Sequence, residues 1–589
     1  MSRNATGVDE RATRQSAWHV RFIADQLADQ PTVVLRVLAL IALIMAFSPT
    51  PAVQGQTDVV ARRVEALMAT MTTEQKVGQL FLVAFSGPQV SPSLKRMIAR
   101  YHIGGIVLFE SAGNIRSVGQ VVKLINDAQA LATANGARIP LFVAIDEEGG
   151  KVTRLSRIAA WFPSQMALGA TDSQAHARAM ARAVAVQLRA LGINMNLAPV
   201  LDVNDNPYNP VIGTRAFGSS PELVARLGAA MVDEYKQQGI LATPKHFPGH
   251  GSTDVDSHDA LPVVSRTLQS LVTTDVLPFV HARADAIMTA HVLYSSLDAN
   301  APATLSPAVL QGMLRSRLGF EGLIVSDSLL MRAITGDIDV NEAAVRAFRA
   351  GVDVLAIGAD AGYTRLDRRT TYQAVLDAVN AEPALQRRLD ESVRRILTIK
   401  ARYGLLDHRP ADPKQAAVVL GNAAHREVAD RIARDSVTLV RDEGGLVPLQ
   451  PEANILLVLP AAANDLGSRM RTCHRKLTVI RMSQNPTFRE AATLVRRAKQ
   501  FDVVIVATMN VNKHPGQASV VKSLGASEVP MIVVALQSPY DLLAFPEVKS
   551  YLTAFSDVPV SLQALADVLC GRADAQGTIP VQLWSQDAR

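Results

Sequence analysis

From Thr72 onward, short apolar runs alternate with amphipathic stretches of helical period. The runs are QLFLVAF (79–85), IGGIVLF (103–109), PLFVAID (140–146), NMNLAPVLDV (194–203), GILATPKHF (239–247), AIMTAHV (286–292), GLIVSD (322–327) and DVLAIG (353–358). Each has strand length and too little polarity to leave one face in water, so each reads as a strand covered on both sides. Between them lie helical patterns such as SVGQVVKLINDAQALATA and SQAHARAMARAVAVQLRAL. MTTEQKVGQL opens the series, with Thr72 and Gln75 at capping-box spacing. Eight such strands alternating with helices predict an α/β protein that begins with a (β/α)8 barrel.

The pattern then breaks. DHRPADPKQ, after Leu406, is polar and charged with two prolines, which predicts a linker. A helix over HREVADRIARDSVTLVRD leads into a second series of strand-like runs: 454–460, 477–482, 501–509, 530–537 and 551–555. These predict a smaller αβα sandwich around a parallel sheet. The organisation is therefore a leader over 1–60, a barrel over 61–405, a linker over 406–425 and a C-terminal sandwich over 426–589. Within the leader, Val37–Phe47 is continuously apolar and follows Arg36. Eleven residues fall short of the roughly 20 that span a bilayer but suit the apolar stretch of a signal peptide. Val53 and Gly55 are small enough for cleavage before Gln56. Export is expected, with an uncleaved tether to the membrane as the competing outcome.

Composition narrows the function. Of 589 residues, 48% are apolar and 19% charged, enough for large cores and incompatible with global disorder. Lys and Arg exceed Asp and Glu by only 60 to 54, and no dense basic run with interleaved aromatics occurs, so nucleic acid is not an expected partner. Two cysteines, Cys473 and Cys570, cannot build a disulfide framework or a four-cysteine zinc site, and they read as small buried apolar residues.

Polar groups end several of the barrel runs: Asp146, Asp202, Lys245 with His246, His291 and Asp327. In a barrel these positions converge on the C-terminal rim, where active sites lie. The segment Lys245-His-Phe-Pro-Gly-His-Gly-Ser-Thr-Asp-Val-Asp-Ser-His258 carries three histidines and two aspartates in a Gly/Pro loop. Asp256 stands two residues before His258, a spacing that lets a carboxylate orient an imidazole for general acid/base work. The competing readings are a structural loop, or a metal held by His246, His250, Asp256 and His258. The spacing is not a standard zinc pattern, so no metal is expected. An isolated Asp after a strand is often a helix cap, but Asp327 shares the rim with this loop and is placed to attack an anomeric carbon.

The motifs IDEEGGKVTRL (145–155), APVLDV (198–203), IGTRAFG (212–218), KHFPGHGSTDVDSH (245–258), MTAHVLY (288–294), PATLS (302–306) and GLIVSDSL (322–329) resemble glycoside hydrolase family 3. The resemblance is to its β-N-acetylglucosaminidase (β-hexosaminidase) branch in two-domain form. It implies Asp327 as nucleophile and His258 with Asp256 as the acid/base dyad. It also implies Asp146, Arg154, Arg215, Lys245 and His246 as groups that hold the sugar. The reaction implied is retaining hydrolysis of β-linked N-acetylglucosamine from non-reducing ends of cell-wall or chitin-type fragments, by a monomer without cofactor. The partner implied is an N-acetylglucosamine-containing oligosaccharide or glycopeptide. Lys151 stands where the family commonly has Arg, and Ser328 where a second Asp commonly follows the nucleophile; both touch specificity rather than reaction class. A phosphorylase, or a β-glucosidase or xylosidase of the same family, is the alternative enzyme. A silent wall-binding protein is the alternative outside catalysis, and the presence of Asp327, Asp256 and His258 argues against it.

Overall fold

The computed structural model describes residues 51–134, 138–358, 360, 366–527 and 529–583, with side chains from Asp58 onward. The apolar run Val37–Phe47 lies outside the described residues. Val53 and Gly55 fall in the helix Pro51–Thr70. Among the described residues no helix is long and apolar enough to cross a membrane.

Every apolar run of the first series yields one barrel strand. They are β1 (Phe81–Ala84), β2 (Gly105–Leu108), β3 (Phe142–Ile145), β4 (Met195–Asn196), β5 (Leu241–Ala242), β6 (Ala286–Met288), β7 (Leu323–Val325) and β8 (Leu355–Ile357). Six pair in parallel in the order β8-β1-β2-β3-β4-β5, and β6 pairs in parallel with β7. Parallel bridges Phe247↔Thr289 and Val325↔Val354 join these two pieces and close the ring. The strands are short because the chain leaves the ladder almost at once to build the rim loops. The helices between them cover the outside with apolar stripes, as in Gln174–Leu191, where Met180, Val184, Leu188 and Leu191 are buried. Thr72 and Gln75 form the capping box that the sequence predicts.

Charge ties the floor of the barrel. Asp353, fully buried before β8, accepts hydrogen bonds from Ile324 N of β7 (3.0 Å) and Ser392 Oγ (2.9 Å). Its carboxylate also meets Arg315 at 2.5 Å, Arg388 at 2.9 Å and Arg395 at 3.3 Å. Burial alone would raise its pKa; the three guanidinium groups lower it instead.

The second domain is a six-stranded sheet. Its strands are β9 (Thr438–Asp442), β10 (Ile455–Pro460), β11 (Leu477–Met482), β12 (Val503–Thr508), β13 (Met531–Ala535) and β14 (Ser550–Thr553), in the order β9-β14-β13-β12-β10-β11. All pairings are parallel except β9 with β14. Here the sequence reading needs correction, because the helix stops at Ser436 and TLVRD is this antiparallel edge strand. A second correction concerns the cysteines. Cys473 and Cys570, 97 residues apart, are joined in a disulfide that links the turn after Leu466–Met470 to the end of Pro559–Leu569. Within 406–425, residues Pro413–Val419 form a helix whose Ala416 is buried among the barrel's outer helices.

The two domains meet through an apolar contact. Met166, Ala167 and Ala170 of the barrel's helix Gln165–Thr171 pack into the apolar core of the second domain. Ser164 Oγ donates to Phe555 O (2.8 Å), Tyr540 Oη to Asn204 O (2.6 Å) and Thr578 N to Ala170 O (2.9 Å).

Removing one partner from a buried ion cluster leaves the others uncompensated, which typically costs about 3–5 kcal/mol. Asp353→Asn is therefore expected to lower the unfolding free energy by roughly that amount, read by denaturant titration. A loss below about 1 kcal/mol would mean that the arginines find other partners.

Candidate active site

The carboxyl ends of the barrel strands deliver the polar residues to one rim, in three linked groups. Lys245, just beyond β5, is almost fully buried. Its Nζ lies 2.6 Å from Asp146 Oδ1, after β3, and 2.7 Å from Glu148 Oε1. Arg215 grips Glu148 with both arms, Nε and Nη2 each donating at 2.8 Å. Arg154 stands over the Phe109 ring with Nη2 3.7 Å from Asp146 Oδ2. Burial would lower the pKa of Lys245, but Asp146 and Glu148 raise it. Against the same burial, Arg215 and Lys245 hold Glu148 well below the carboxylate range. Three cations and two anions thus lock together.

The second group surrounds Asp327. Asp202, wholly buried, accepts from the backbone N of His246 (3.1 Å), from His250 N (2.7 Å) and from His246 Nδ1 (2.7 Å). This fixes the imidazole of His246 with Nε2 facing Asp327 Oδ2, 3.9 Å away. Asp327 Oδ1 accepts from Ser328 N (2.7 Å). Burial would raise the Asp327 pKa, yet His246, His291 and the Ser328 N–H together bring it down to about 2. Asp327 is an anion throughout the neutral range. Ser328 Oγ in turn donates to Asp360, beyond β8, and His291 Nε2 contacts Ser328 O at 2.9 Å.

The third group is the loop. Asp256 Oδ1 accepts from both the backbone N (2.9 Å) and Nδ1 (2.7 Å) of His258, so the two-residue spacing closes on itself as the sequence suggests. His258 Nε2 is left open at a side chain 53% exposed. The hydrogen bond from Asp256 raises the His258 pKa, with Asp327 and Asp360 adding to it against burial. Asp327 is thus pushed towards its anion and His258 towards its cation within one electrostatic neighbourhood.

His250, by contrast, is engaged at both ring nitrogens, by Ser257 Oγ (2.9 Å) and Thr253 Oγ1 (2.8 Å). Among the described residues, no cluster with metal-ligand geometry contains His246, His250, Asp256 or His258. The sequence reading named Asp202 and His291 without a role, and it passed over Glu148 and Asp360. Glu148 sits within IDEEGG beside Asp146, and nothing in the sequence distinguishes which of those acids is buried. Asp360 lies beyond the last apolar run.

A rim of this kind can bind polyhydroxylated ligands, offer a carboxylate anion and donate a proton. The profile of the glycosyl hydrolase family 3 N-terminal domain matches residues 72–399, and that of the family's C-terminal domain matches residues 437–588. The chain belongs to glycosyl hydrolase family 3. Within family 3, beta-hexosaminidase A of Pseudoalteromonas piscicida is 30% identical over 88% of this chain and 98% of its own length. A beta-N-acetylglucosaminidase/beta-glucosidase of Cellulomonas fimi is 30% identical over 88% of this chain and 95% of its own. Among solved structures, a family 3 beta-N-acetylglucosaminidase of Paenibacillus sp. str. FPU-7 superposes with a TM-score of 0.81 at 37% identity, covering 87% of this chain and 99% of that one. The protein is a family 3 glycosidase of the β-hexosaminidase type, and the barrel with its sandwich is the two-domain family fold.

The opposed tendencies of Asp327 and His258 set a pH expectation. Activity that needs Asp327 ionised and His258 protonated holds from above about 2 and falls as pH climbs through a value above histidine's usual 6.5. Asp256→Asn removes the largest influence raising the His258 pKa, so the falling limb of kcat/KM against pH moves to lower pH. A limb that stays in place would assign it to another group.

Proposed function

We propose that this family 3 enzyme releases β-linked N-acetylglucosamine from non-reducing ends by double displacement. The observation that carries the reading is the pairing of an ionised Asp327 with a protonatable His258 that Asp256 orients. In the first step an Asp327 oxygen attacks the anomeric carbon while His258 Nε2 gives its proton to the departing glycosidic oxygen, leaving a glycosyl-aspartate. In the second step neutral His258 takes a proton from water, whose oxygen displaces Asp327. Asp146 accepts hydrogen bonds from sugar hydroxyls, and Lys245 and Arg154 donate to their oxygens. His246 borders the attacking carboxylate. Arg215, clamped to Glu148, serves through its field and by holding Glu148 against Lys245.

The substrates proposed are cell-wall (muropeptide) or chitin-type fragments. The relatives' names, beta-hexosaminidase and beta-N-acetylglucosaminidase, support the N-acetylglucosamine part of this reading. Export is proposed on the Val37–Phe47 run, and the Cys473–Cys570 disulfide supports it, because such bonds persist in oxidising compartments.

His258→Ala is expected to slow substrates with poor leaving groups by about 10²–10⁴-fold while sparing glycosylation by an activated aryl glycoside. Asp327→Ala abolishes turnover of both. Steady-state kinetics on two leaving groups of unlike pKa reads the contrast, and equal losses for His258→Ala would reduce the histidine to binding.

Proton NMR of the first-formed N-acetylglucosamine tests the stereochemistry, with the β-anomer expected. An initial α-anomer sinks the double displacement.

A further inference from the structure

Beside the rim, the two domains line a second, strongly polar cleft, a small one of about 30 Å³, that the hydrolytic steps above do not use. The barrel contributes Lys151 and Asn204, and the second domain contributes Asn512, Lys513 and Ser538. The second-domain residues follow the carboxyl ends of β12 and β13, the edge at which α/β sheets generally present ligands. Their loop is fixed, because buried Asp541 accepts from Thr508 Oγ1 and from Val511 N, both at 2.8 Å.

The cleft is rich in donors without acceptors. Neither the Lys151 nor the Lys513 ammonium has a hydrogen-bond or ion-pair partner among the described residues, although the two lie close enough to repel each other. Asn204 is 1% exposed, and its Oδ1 accepts from Gly213 N at 3.1 Å, which fixes the amide's orientation. Its Nδ2 is left buried with no partner. An unmatched buried donor carries a free-energy cost that a bound acceptor would remove. Position completes the argument. Lys151 is at the tip of the hairpin that carries Glu148, within the field of Asp256, whose histidine serves the departing oxygen. The cleft also borders the loop that carries Asp256 and His258, because its lining residue Asn209 donates to His250 O (2.9 Å) and Gly251 O (3.1 Å).

We propose that this cleft at the domain seam is an oxyanion subsite that takes a carboxylate or phosphate group through Lys513, Lys151 and the Asn204 amide. The proposal rests on the reading of Asp327 and His258 as the site of glycoside cleavage. It makes the second domain part of substrate selection and favours anionic over neutral leaving sugars.

The test uses the full chain with Lys513→Ala and Lys513→Glu. Lys513 is exposed and bonds to nothing through its ammonium, so both variants should fold. Three substrates are compared: a neutral aryl β-N-acetylglucosaminide, neutral diacetylchitobiose, and a matching β-N-acetylglucosaminyl disaccharide with a carboxylate on its reducing unit. Lys513→Ala should lower kcat/KM for the carboxylated disaccharide about tenfold, leave both neutral substrates within about twofold, and lose its effect in high salt. Lys513→Glu should discriminate further against the carboxylate. In a second arm inorganic phosphate is added, and Lys513-dependent formation of N-acetylglucosamine 1-phosphate would identify the anion as free phosphate in the same subsite. Equal losses on all substrates, or none on any with no phosphate effect, overturn the subsite. Failure of the wild type to cleave the neutral aryl glycoside would overturn the glycosidase reading, a separate result.

Discussion

A buried ammonium is costly unless opposite charge surrounds it, and the rim of this barrel is organised around that cost. Lys245 lies between Asp146 and Glu148, and Glu148 is itself held by both arms of Arg215. Four charges from three separate segments therefore have to meet before any one of them is stable where it sits. That demand fixes the β3 and β5 ends and the Arg215 turn relative to one another. It also means that these polar groups are held in place by one another, so little reorganisation is left for any ligand they bind.

The same logic, with different partners, separates Asp327 from His258. Both are close to other ionisable groups, yet one is held as an anion and the other towards its cation. Asp327 sees imidazoles and a backbone N–H, whereas His258 sees carboxylates. Asp202 is the hidden member of this arrangement. By holding Nδ1 of His246 it settles which nitrogen faces the nucleophile, and by accepting from His250 N it anchors the start of the loop that carries the dyad. A carboxylate with depressed pKa and an imidazole with raised pKa follow from where each group's neighbours are placed.

All eight barrel strands were legible in the sequence because a parallel strand is apolar on both faces and so announces itself as a run. The edge strand β9 was not. TLVRD has an exposed Leu439 and ends in two charged residues, Arg441 and Asp442, and it continues without a turn signal from a helix of strong amphipathic period. Polar residues closing apolar runs pointed correctly at the rim, since strand direction alone gathers them there. Which acids become buried partners was not legible, because Asp146, Glu147 and Glu148 are neighbours in sequence but meet different surroundings. Glu147 turns to the Arg154 and Leu155 backbone, and burial pushes its pKa up to about 8, while Glu148 meets Arg215. The Cys473–Cys570 pair was invisible for a similar reason, as its separation of 97 residues is bridged only by the sandwich.

The sandwich also has a mechanical connection to the rim. Phe555 O accepts from Ser164 Oγ at the head of the helix Gln165–Thr171, whose apolar face is buried in the second domain's core. Gln165, the next residue, clasps the backbone of Val200 on both sides, with Oε1 accepting from Val200 N (3.0 Å) and Nε2 donating to Val200 O (2.9 Å). Val200 lies two residues before Asp202. The helix has no slack with which to shift, since a Cβ on Gly169 would fall 1.8 Å from Phe217 O. A displacement of the second domain that moved Ser164 would therefore be carried through Gln165 and Val200 to the carboxylate that orients His246. On this geometry Ser164, Gln165 and Val200 form a continuous link between the second domain's Phe555 and the barrel segment that carries Asp202.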